Sequence, residues 1–276
     1  MILVNIMALV TVAAAAVALM LTGADADIGR ATRFAEAGRA AAVLTGGELS
    51  ARVALRRDAL LAPDQDHPRE AWGAVDQEAV AIRDGTFALR VQDAQGRLNL
   101  ADVARGDPAA LQLLGQIARA LQIPPVVGAA LAERLGRGAG PEILAELPRL
   151  GLQPATLARL APLLTYLPAS GPTPVNLNAA DPALLLILFE SPAIVAQIEA
   201  QRTRAGFVTP ADLQAIGAPL PPGTGFRSDH FWVRGSARIG DTSRALTSLV
   251  QRRRQPNGQV SVEVIGRWPG AGPLPL

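Results

Sequence analysis

The sequence predicts an α+β fold in which a long N-terminal helix lies on a small antiparallel sheet, with an inserted all-helical subdomain. Three observations predict this arrangement. A helical pattern extends from the first residue to residue 62. Strand patterns with hairpin turns stand on both sides of the middle of the chain, and the middle itself, 107–217, contains a series of short helical patterns.

The first segment, 1–22, is apolar enough to cross a membrane. It carries no charged side chain, and as a helix it would rise roughly 33 Å, enough to span the apolar core of a bilayer. Asn5 and Thr11 are the polar side chains in its interior. A cleaved secretory signal is the alternative, because 24–26 reads Ala-Asp-Ala and resembles a cleavage site. The lack of a basic region before the apolar run and the helical pattern after it favour a membrane anchor.

The second segment, 23–62, keeps the helical pattern but becomes amphipathic. Apolar residues recur at intervals of three and four, while arginine and glutamate occupy the other side. Two glycines at 46–47 cost about 1 kcal/mol each relative to alanine, so a kink is expected there. Pro63 ends the helix, which at roughly sixty residues is far longer than an ordinary globular helix. Its apolar stripe includes Phe34, Leu44, Leu49 and Val53.

Strand patterns occur in two separate regions, 63–106 and 218–268, which together would form one sheet domain. An Asp-Gly pair at 84–85 and an Asn-Gly pair at 257–258 are strong signals for hairpin turns. Apolar and polar residues alternate around these turns, as in half-buried strands. The expected strands are 79–83, 86–93, 231–239, 244–253 and 259–268.

The middle region, 107–217, should form a subdomain of short helices. Asp107 and Asp181 each precede a proline, which combines an N-cap side chain with the residue best suited to the first helical position. Further prolines divide the region into short pieces. The C-terminal tail, 269–276, is rich in glycine and proline and is expected to be disordered.

Composition limits the chemistry that the chain can perform. There is no cysteine, which excludes disulfides and thiolate metal ligands, and every basic residue is arginine. The net charge of +2 is too small to indicate nucleic-acid binding. The two histidines, His67 and His230, are isolated, and neither Ser191 nor Ser228 lies in a nucleophile elbow. We therefore predict no catalytic residue and no enzyme.

Two polar stretches have alternative interpretations. Asp64, Asp66 and His67 could ligate a metal, but their spacing completes no known loop, so a solvated turn is expected. The three arginines at 252–254 could contact anionic lipid or an acidic partner, whereas a solvated strand end is the simpler interpretation. The sequence therefore predicts no metal ligand.

Four stretches together resemble one family. MILVNIMALV resembles the mature N-terminus of type IV pilins and type II secretion pseudopilins, where a hydrophobic, often methylated first residue begins a helix that is half anchor and half domain spine. RFAEAGRAAA, VQDAQGRLNL and TPVNLNAADPALL agree with minor pseudopilin K (general secretion pathway protein K), whose helical domain is inserted. The resemblance covers nearly the whole chain. It implies a pilin-like fold, with Met1 as the processed and methylated residue and Asn5 at the fifth mature position.

This resemblance implies a minor pseudopilin that caps the pseudopilus tip of a type II secretion system and supports protein export across the outer membrane. The anchor would cross the inner membrane once, with the soluble domain in the periplasm. Its partners would be minor pseudopilins I and J and other pseudopilus subunits. Part of the apolar stripe would pack on the sheet and the remainder would meet partner helices, so the expected interface residues are Phe34, Leu44, Leu49 and Val53.

Asn5 stands where pilins usually have glutamate, and the families that lack this glutamate are minor tip subunits, which agrees with pseudopilin K. The chain departs from the family pattern at two points. The basic leader that prepilin peptidase would cut is absent, so either the sequence starts at the mature residue or its start codon lies downstream of the true one. Arg30, Arg33 and Arg39 oppose a periplasmic domain by the positive-inside rule, and such a leader would restore the balance. The acidic segment that suggests calcium in the family is missing around ALAERLGRGAG, so no cofactor is expected.

A membrane-anchored, competence-type DNA-binding protein is the alternative function. The region 175–217 resembles a tandem helix-hairpin-helix module, which binds phosphate through backbone N–H groups at a helix N-terminus. The hairpin here would be 189–193, where glycine is absent, Pro192 removes a donor and Glu190 would repel phosphate. Nucleic acid is therefore not expected as a partner. Asx turns and a helix cap are the expected roles of Asn176, Asn178 and Asp181.

Overall fold

The computed structural model of the protein describes residues 2–138, 140, 142–168, 171–255 and 257–272. Within these residues the helices are α1 Ile2–Leu61, α2 Leu100–Ala104, α3 Pro108–Ala120, α4 Pro125–Gly136, α5 Ile143–Glu146, α6 Pro154–Leu160, α7 Pro182–Phe189, α8 Pro192–Ala205 and α9 Pro210–Ala215. The strands are β1 Gln77–Ile82, β2 Gly85–Asp93, β3 Leu98–Asn99, β4 Leu164–Thr165, β5 Val175–Asn176, β6 Thr224–Gly225, β7 His230–Ile239, β8 Thr242–Arg254 and β9 Val260–Pro269.

Helix α1 confirms the predicted long helix that joins an apolar half to an amphipathic half. It is 60 residues long and passes through Gly46 and Gly47 without interruption. A Cβ atom at position 47 would lie 2.6 Å from Cζ of Phe87 on β2. Gly47 therefore allows the helix to approach the sheet more closely than any other residue would.

Five strands form one antiparallel sheet in the order β1-β2-β7-β8-β9. The predicted strands are confirmed, although β8 begins two residues earlier than expected and ends one residue later. Asp84 takes a positive φ of 64° in the predicted turn between β1 and β2. The helical region is inserted between β2 and β7, which pair from Gly85–Ile239 to Asp93–Phe231. It therefore leaves and re-enters the sheet at neighbouring points.

The second half of α1 packs one face against β2, β7, β8 and β9. The buried positions recur at the intervals expected for one side of a helix. Leu55 lies with Phe231 and Val250 in the largest cluster beneath the helix, where burying each such side chain contributes about 1.5–3 kcal/mol. The buried positions of α1 are Ala40, Leu44, Gly47, Glu48, Ala51, Leu55, Asp58 and Ala59.

The inserted helices have their own aliphatic core, which includes Leu100, Ile117, Leu147, Leu164 and Leu184. The predicted helix caps are confirmed, because Asp107 and Asp181 each accept a hydrogen bond from a first-turn N–H, at 2.9 and 2.8 Å. Asn176 forms the predicted Asx turn by accepting from the N–H of Asn178 at 2.9 Å. The same Asn176 fastens the insert to the sheet domain, since its side-chain amide donates to Asp93 at 2.7 Å.

Arg252 lies at the point where α1, β8 and the segment after α1 meet, and it is only 1% exposed. Its guanidinium donates to Asp58 Oδ2 at 3.2 Å, to Asp66, and to the carbonyl oxygen of Ser228 at 2.6 Å. The guanidinium also lies 5.0 Å from the ring centroid of Phe231. The expectation of a solvated strand end is therefore wrong for Arg252, because β8 runs far enough to bring it beside two buried carboxylates.

The expectation of a solvated turn at 64–67 is wrong in part for the same reason. Asp64 is exposed, as expected, but Asp66 and His67 are buried. Asp66 accepts hydrogen bonds from Arg252 and from the N–H of Ser228, the latter at 2.8 Å. These charge-assisted bonds offset the loss of hydration that otherwise keeps aspartate at the surface.

Replacing Arg252 with glutamine should destabilise the fold, because Asp58 and Asp66 would remain buried without their cation. We expect the free energy of unfolding to fall by about 3–5 kcal/mol, as measured by urea denaturation of the full chain in detergent micelles. Arg253→Gln is the matched control, since Arg253 is exposed, and it should change that free energy by less than about 0.5 kcal/mol. Equal effects of the two substitutions would contradict the role assigned to Arg252.

Candidate functional site

The first half of α1 fits a membrane anchor. All side chains of 2–22 are exposed, and within the described residues α1 is the helix that is long and apolar enough to cross a membrane. Thr11 and Thr22 donate their hydroxyls to main-chain carbonyls one turn earlier, at 3.0 and 3.1 Å, which satisfies them in an apolar medium. Asn5 is exposed with the rest of this half, whereas Met1 lies outside the described residues. These apolar side chains require lipid or other helices to cover them.

The second half of α1 has an exposed apolar stripe on the side away from the sheet. Phe34 is 83% exposed, Leu49 is 55% exposed and Val53 is 59% exposed, and Ile28 and Leu60 are exposed as well. Positions 49, 53 and 60 are separated by one and two helical turns, so they share one side of the helix. Apolar surface of this kind marks contact with another protein or with a membrane. We call these five residues the outer stripe.

Leu44 does not belong to the outer stripe. It is 5% exposed and packs with Ala40, Ala237 and Ile239 between the helix and the sheet. The prediction that Leu44 is an interface residue is therefore wrong. Leu44 is a core residue, because its apolar contacts are made within its own chain. The interface roles of Phe34, Leu49 and Val53 stay predictions.

Polar contacts fix which face of α1 lies against the sheet. Glu36 accepts a hydrogen bond from Thr242 Oγ1 at 2.7 Å. Glu48 accepts from Ser248 Oγ and from Arg267 Nη2, both at 2.6 Å, and the hydrogen bond from Arg267 lowers the pKa of Glu48. With these contacts made, the outer stripe faces away from the sheet. Sequence reasoning missed them because the partners are 200 to 219 positions apart.

Among the described residues, the carboxylates of Asp58, Asp66 and Glu70 lie close enough together to ligate one metal ion. One oxygen atom from each lies within 4.8 Å of the other two. Arg252 donates to two of them, so a guanidinium already neutralises the position that a cation would take. Burial raises the pKa of Asp58 to about 6 and that of Glu70 to about 7. Glu70 Oε2 also accepts from Trp72 Nε1 at 3.0 Å. In this arrangement the cluster joins the end of α1 to the segment that follows it.

Three carboxylates in the region 133–146 each face a donor of the chain itself. Glu133 pairs with Arg137 at 2.5 Å, and Glu146 lies 3.4 Å from Arg134. Glu142 accepts a hydrogen bond from the N–H of Gly140 at 3.0 Å. These side chains are therefore turned toward donors and not toward one another.

Both histidines are buried. His67 stacks on Phe207, with ring centroids 4.7 Å apart, and its Nδ1 accepts from the N–H of Arg69 at 3.2 Å. His230 Nδ1 lies 3.0 Å from Gln95 Oε1. Burial lowers the pKa of both, that of His230 to about 4. Both histidines are therefore core side chains held by contacts within the chain.

The stretch 189–193 joins α7 to α8 in a form that does not suit phosphate binding. Glu190 takes a positive φ of 51° at the end of α7, and Pro192 opens α8. The hydroxyl of Ser191 accepts from the N–H of Ile194 at 3.4 Å. A side chain of the chain itself therefore caps the helix N-terminus that a DNA phosphate would need.

The fold belongs to the pilin-like class, because one long N-terminal helix continues from an exposed apolar half into a half that packs on an antiparallel sheet. A solved structure has this fold. The chain matches a component of the GspK–GspI–GspJ complex from the type 2 secretion system of enterotoxigenic Escherichia coli with a TM-score of 0.64 and 18% identity. The match covers 88% of this chain and 100% of that chain.

The particular resemblance within this class comes from sequence. The chain is 26% identical over 274 residues to the type II secretion system protein K of Pseudomonas aeruginosa, a match that covers 84% of this chain and 80% of that protein. No family model matches the chain. The resemblance to minor pseudopilin K that the sequence motifs indicate is confirmed by this relative.

The buried cluster should make stability depend on pH in a direction opposite to that of carboxylates whose pKa is lowered by folding. Because the pKa of Glu70 is raised to about 7 from its usual 4.5, the folded state holds this proton more tightly than the unfolded state. Its contribution should therefore increase the free energy of unfolding by about 2 kcal/mol as the pH falls from about 8 to about 5.

Urea denaturation of the full chain across this pH range measures the effect. Glu70→Gln, which removes the titrating group and keeps the side-chain shape, should lose about 2 kcal/mol of this increase relative to the parent chain, in which the two buried histidines contribute in the opposite direction. Glu263→Gln on the exposed side of β9 should not lose it. A pH dependence that is unchanged in Glu70→Gln would contradict the assignment.

Proposed function

We propose that this chain is a minor pseudopilin of a type II protein secretion system. It joins minor pseudopilins I and J at the tip of the pseudopilus and supports protein export across the outer membrane. It anchors in the inner membrane through the first half of α1. The names of its relatives supply the secretion system and the complex with proteins I and J. The tip position, the inner-membrane anchor and the role in export come from the family resemblance of the sequence.

The observation that carries the proposal is the outer stripe of α1. One face of α1 packs on its own sheet, while Leu49 and Val53 on the opposite face remain more than half exposed. A stripe with helical spacing matches the seam through which nearly parallel helices pack. The partner helices would therefore lie along α1, on the side away from the sheet.

The same helix would serve two environments in turn. In the membrane, lipid covers the apolar half of α1, and in the fibre neighbouring helices would cover it instead. Asn5 cannot supply the fifth-position carboxylate that is thought to pair with the N-terminal amine of an adjacent subunit, but a neutral amide is cheaper to hold in lipid. A subunit at the tip has no subunit above it and does not need that pair. The inserted helices would add bulk there and hinder further stacking.

A structural subunit of this kind needs no active site. We propose that the chain is not an enzyme and requires no cofactor for assembly. The domain after the anchor would lie in the periplasm. The competence-type DNA-binding alternative is not supported, because Ser191 and Glu190 occupy the place where phosphate would bind.

Replacing Leu49 with aspartate should prevent complex formation without unfolding the chain. A carboxylate in the centre of an apolar helix seam would weaken binding by at least about 2 kcal/mol, which is roughly 30-fold in Kd. Co-purification of the full chain with minor pseudopilins I and J of the same genome, in detergent, measures the loss.

Leu220→Asp is the matched control, since Leu220 is an exposed leucine of the inserted region, 50% accessible to solvent. It should leave the complex intact, and both variants should keep the melting temperature of the parent chain. The proposed helix interface is contradicted if Leu49→Asp binds pseudopilins I and J as the parent chain does, or if the parent chain binds neither of them.

The domain after the anchor should lie outside the cytoplasm. An alkaline phosphatase fused after Leu276, which folds only in an oxidising compartment, should be active in cells. A fluorescent reporter that folds only in the cytoplasm should be inactive at the same position. The reverse pair of results would contradict the orientation required by the proposal, since the arginines at 30, 33 and 39 would then follow the positive-inside rule.

A further inference from the structure

The face of the five-stranded sheet that points away from α1 carries closely spaced arginines. Arg90 on β2 lies directly opposite Arg234 on β7. Side chains in such a pair have Cβ atoms about 5 Å apart, and like charges there destabilise a sheet. Arg97, which precedes β3, is the third member, and the positive charge of Arg234 adds to burial in lowering the pKa of Arg97. Three guanidinium groups are therefore held together against their mutual repulsion.

Two of these arginines have no hydrogen-bonded or ion-paired partner among the described residues. Arg97 and Arg234 make no ion pair and no side-chain hydrogen bond there, and the Nη1 atom of Arg97 and the Nε atom of Arg234 are buried. Trp232 is 3% exposed, and its Nε1 atom is buried without an acceptor from the part of the chain that the structure describes. Arginine and tryptophan side chains only donate hydrogen bonds. The missing group is therefore an acceptor, and the positive charge favours an anionic one.

The nearby carboxylates are already engaged by other donors. Asp76 lies 3.9 Å from the Nε atom of Arg90, which is exposed. Asp93 accepts from Ser228 Oγ at 2.6 Å and from Asn176 at 2.7 Å. Asp181 caps α7. Within the described part of the chain, no carboxylate supplies the acceptor that Arg97 and Arg234 lack.

Two adjoining clefts give access to these donors. One, of about 310 Å³, is lined by Arg97 and Trp232, and the other, of about 640 Å³, is lined by Arg234. Both are also lined by Asp76 and Arg90, so the clefts meet at these residues. Small side chains line the second cleft and leave room for the main chain of an extended segment. They are Ala88, Ser236 and Ala245.

We propose that this surface, which we call the arginine groove, binds an acidic segment of another polypeptide and receives one of its carboxylates between Arg97 and Arg234. A carboxylate accepts two parallel hydrogen bonds from a guanidinium, and Trp232 supplies a further donor. Asp76 and Asp93 line the same cleft and would repel a doubly charged phosphate more strongly than a singly charged carboxylate. Because Arg90 and Arg234 alternate with residues that pack on α1 and so point away from it, the occupant of the groove is independent of the helix interface proposed above.

Isothermal titration of the full chain in detergent with a blocked hexaglutamate peptide tests the groove. The peptide should bind, and blocked hexaglutamine should not. Arg97→Gln and Arg234→Gln should each weaken hexaglutamate binding by at least about tenfold. Arg244→Gln is the matched control, because it removes the same charge from an exposed arginine of β8 and should change the affinity less than about twofold.

A second measurement separates binding from a structural role. Without peptide, Arg234→Gln should melt at the same temperature as the parent chain or higher, since it removes an unpaired cation beside Arg90. A clearly lower melting temperature would overturn the proposal, because Arg234 would then be structural. Absence of hexaglutamate binding, equal weakening by Arg244→Gln, or displacement of the peptide by an equal concentration of inorganic phosphate would each overturn it too.

Discussion

The guanidinium of Arg252 joins parts of the chain that are otherwise distant. It donates to Asp58, near the end of α1 and 194 positions away, and to Asp66, in the segment after α1 and 186 positions away. Asp66 in turn accepts from Ser228 just before β7, and the amide of Asn176 in the inserted region reaches the main chain of Asp66 at 3.0 Å. The buried guanidinium of Arg252 therefore holds the helix, the sheet and the insert together. Its removal would leave buried carboxylates with neither water nor a cation to stabilise them.

Because this contact and the hydrogen bonds of Glu48 hold α1 against the sheet, the helix has a fixed inner face and a fixed outer face. The inner face completes the core of the chain, and small residues such as Gly47 bring the helix close to the strands. The outer face continues from the exposed apolar anchor into the exposed residues Leu49 and Val53. A rigid spine with one uncovered apolar side is a suitable element for lateral assembly of helices, and this links the packing of the fold to the function proposed for it.

The elements that depend on local patterns could be predicted from the sequence. The unbroken apolar and then amphipathic pattern predicts the 60-residue helix, alternation with Asp-Gly and Asn-Gly pairs predicts the long strands, and Asp107 and Asp181 mark their helix starts. What could not be predicted depends on contacts across the sequence. Leu44 and Leu49 look alike in the pattern, and only the packing of α1 on the sheet separates a core residue from an exposed one. Burial of Arg252 was missed because its partners lie far along the chain.

The central claim is that one side of α1 packs on its own sheet and the other side contacts the helices of partner subunits. Since the chain has no cysteine, a single introduced cysteine reports its own position only. Cysteines placed one at a time along the second half of α1, in the full chain coexpressed with minor pseudopilin I carrying a single cysteine in its N-terminal helix, can be scored for disulfide crosslinks. The yield should rise and fall with the helical period, with maxima at Leu49, Val53 and Leu60 and minima at Leu44, Ala51 and Leu55. A yield without this period, or with maxima at the buried positions, would contradict the account.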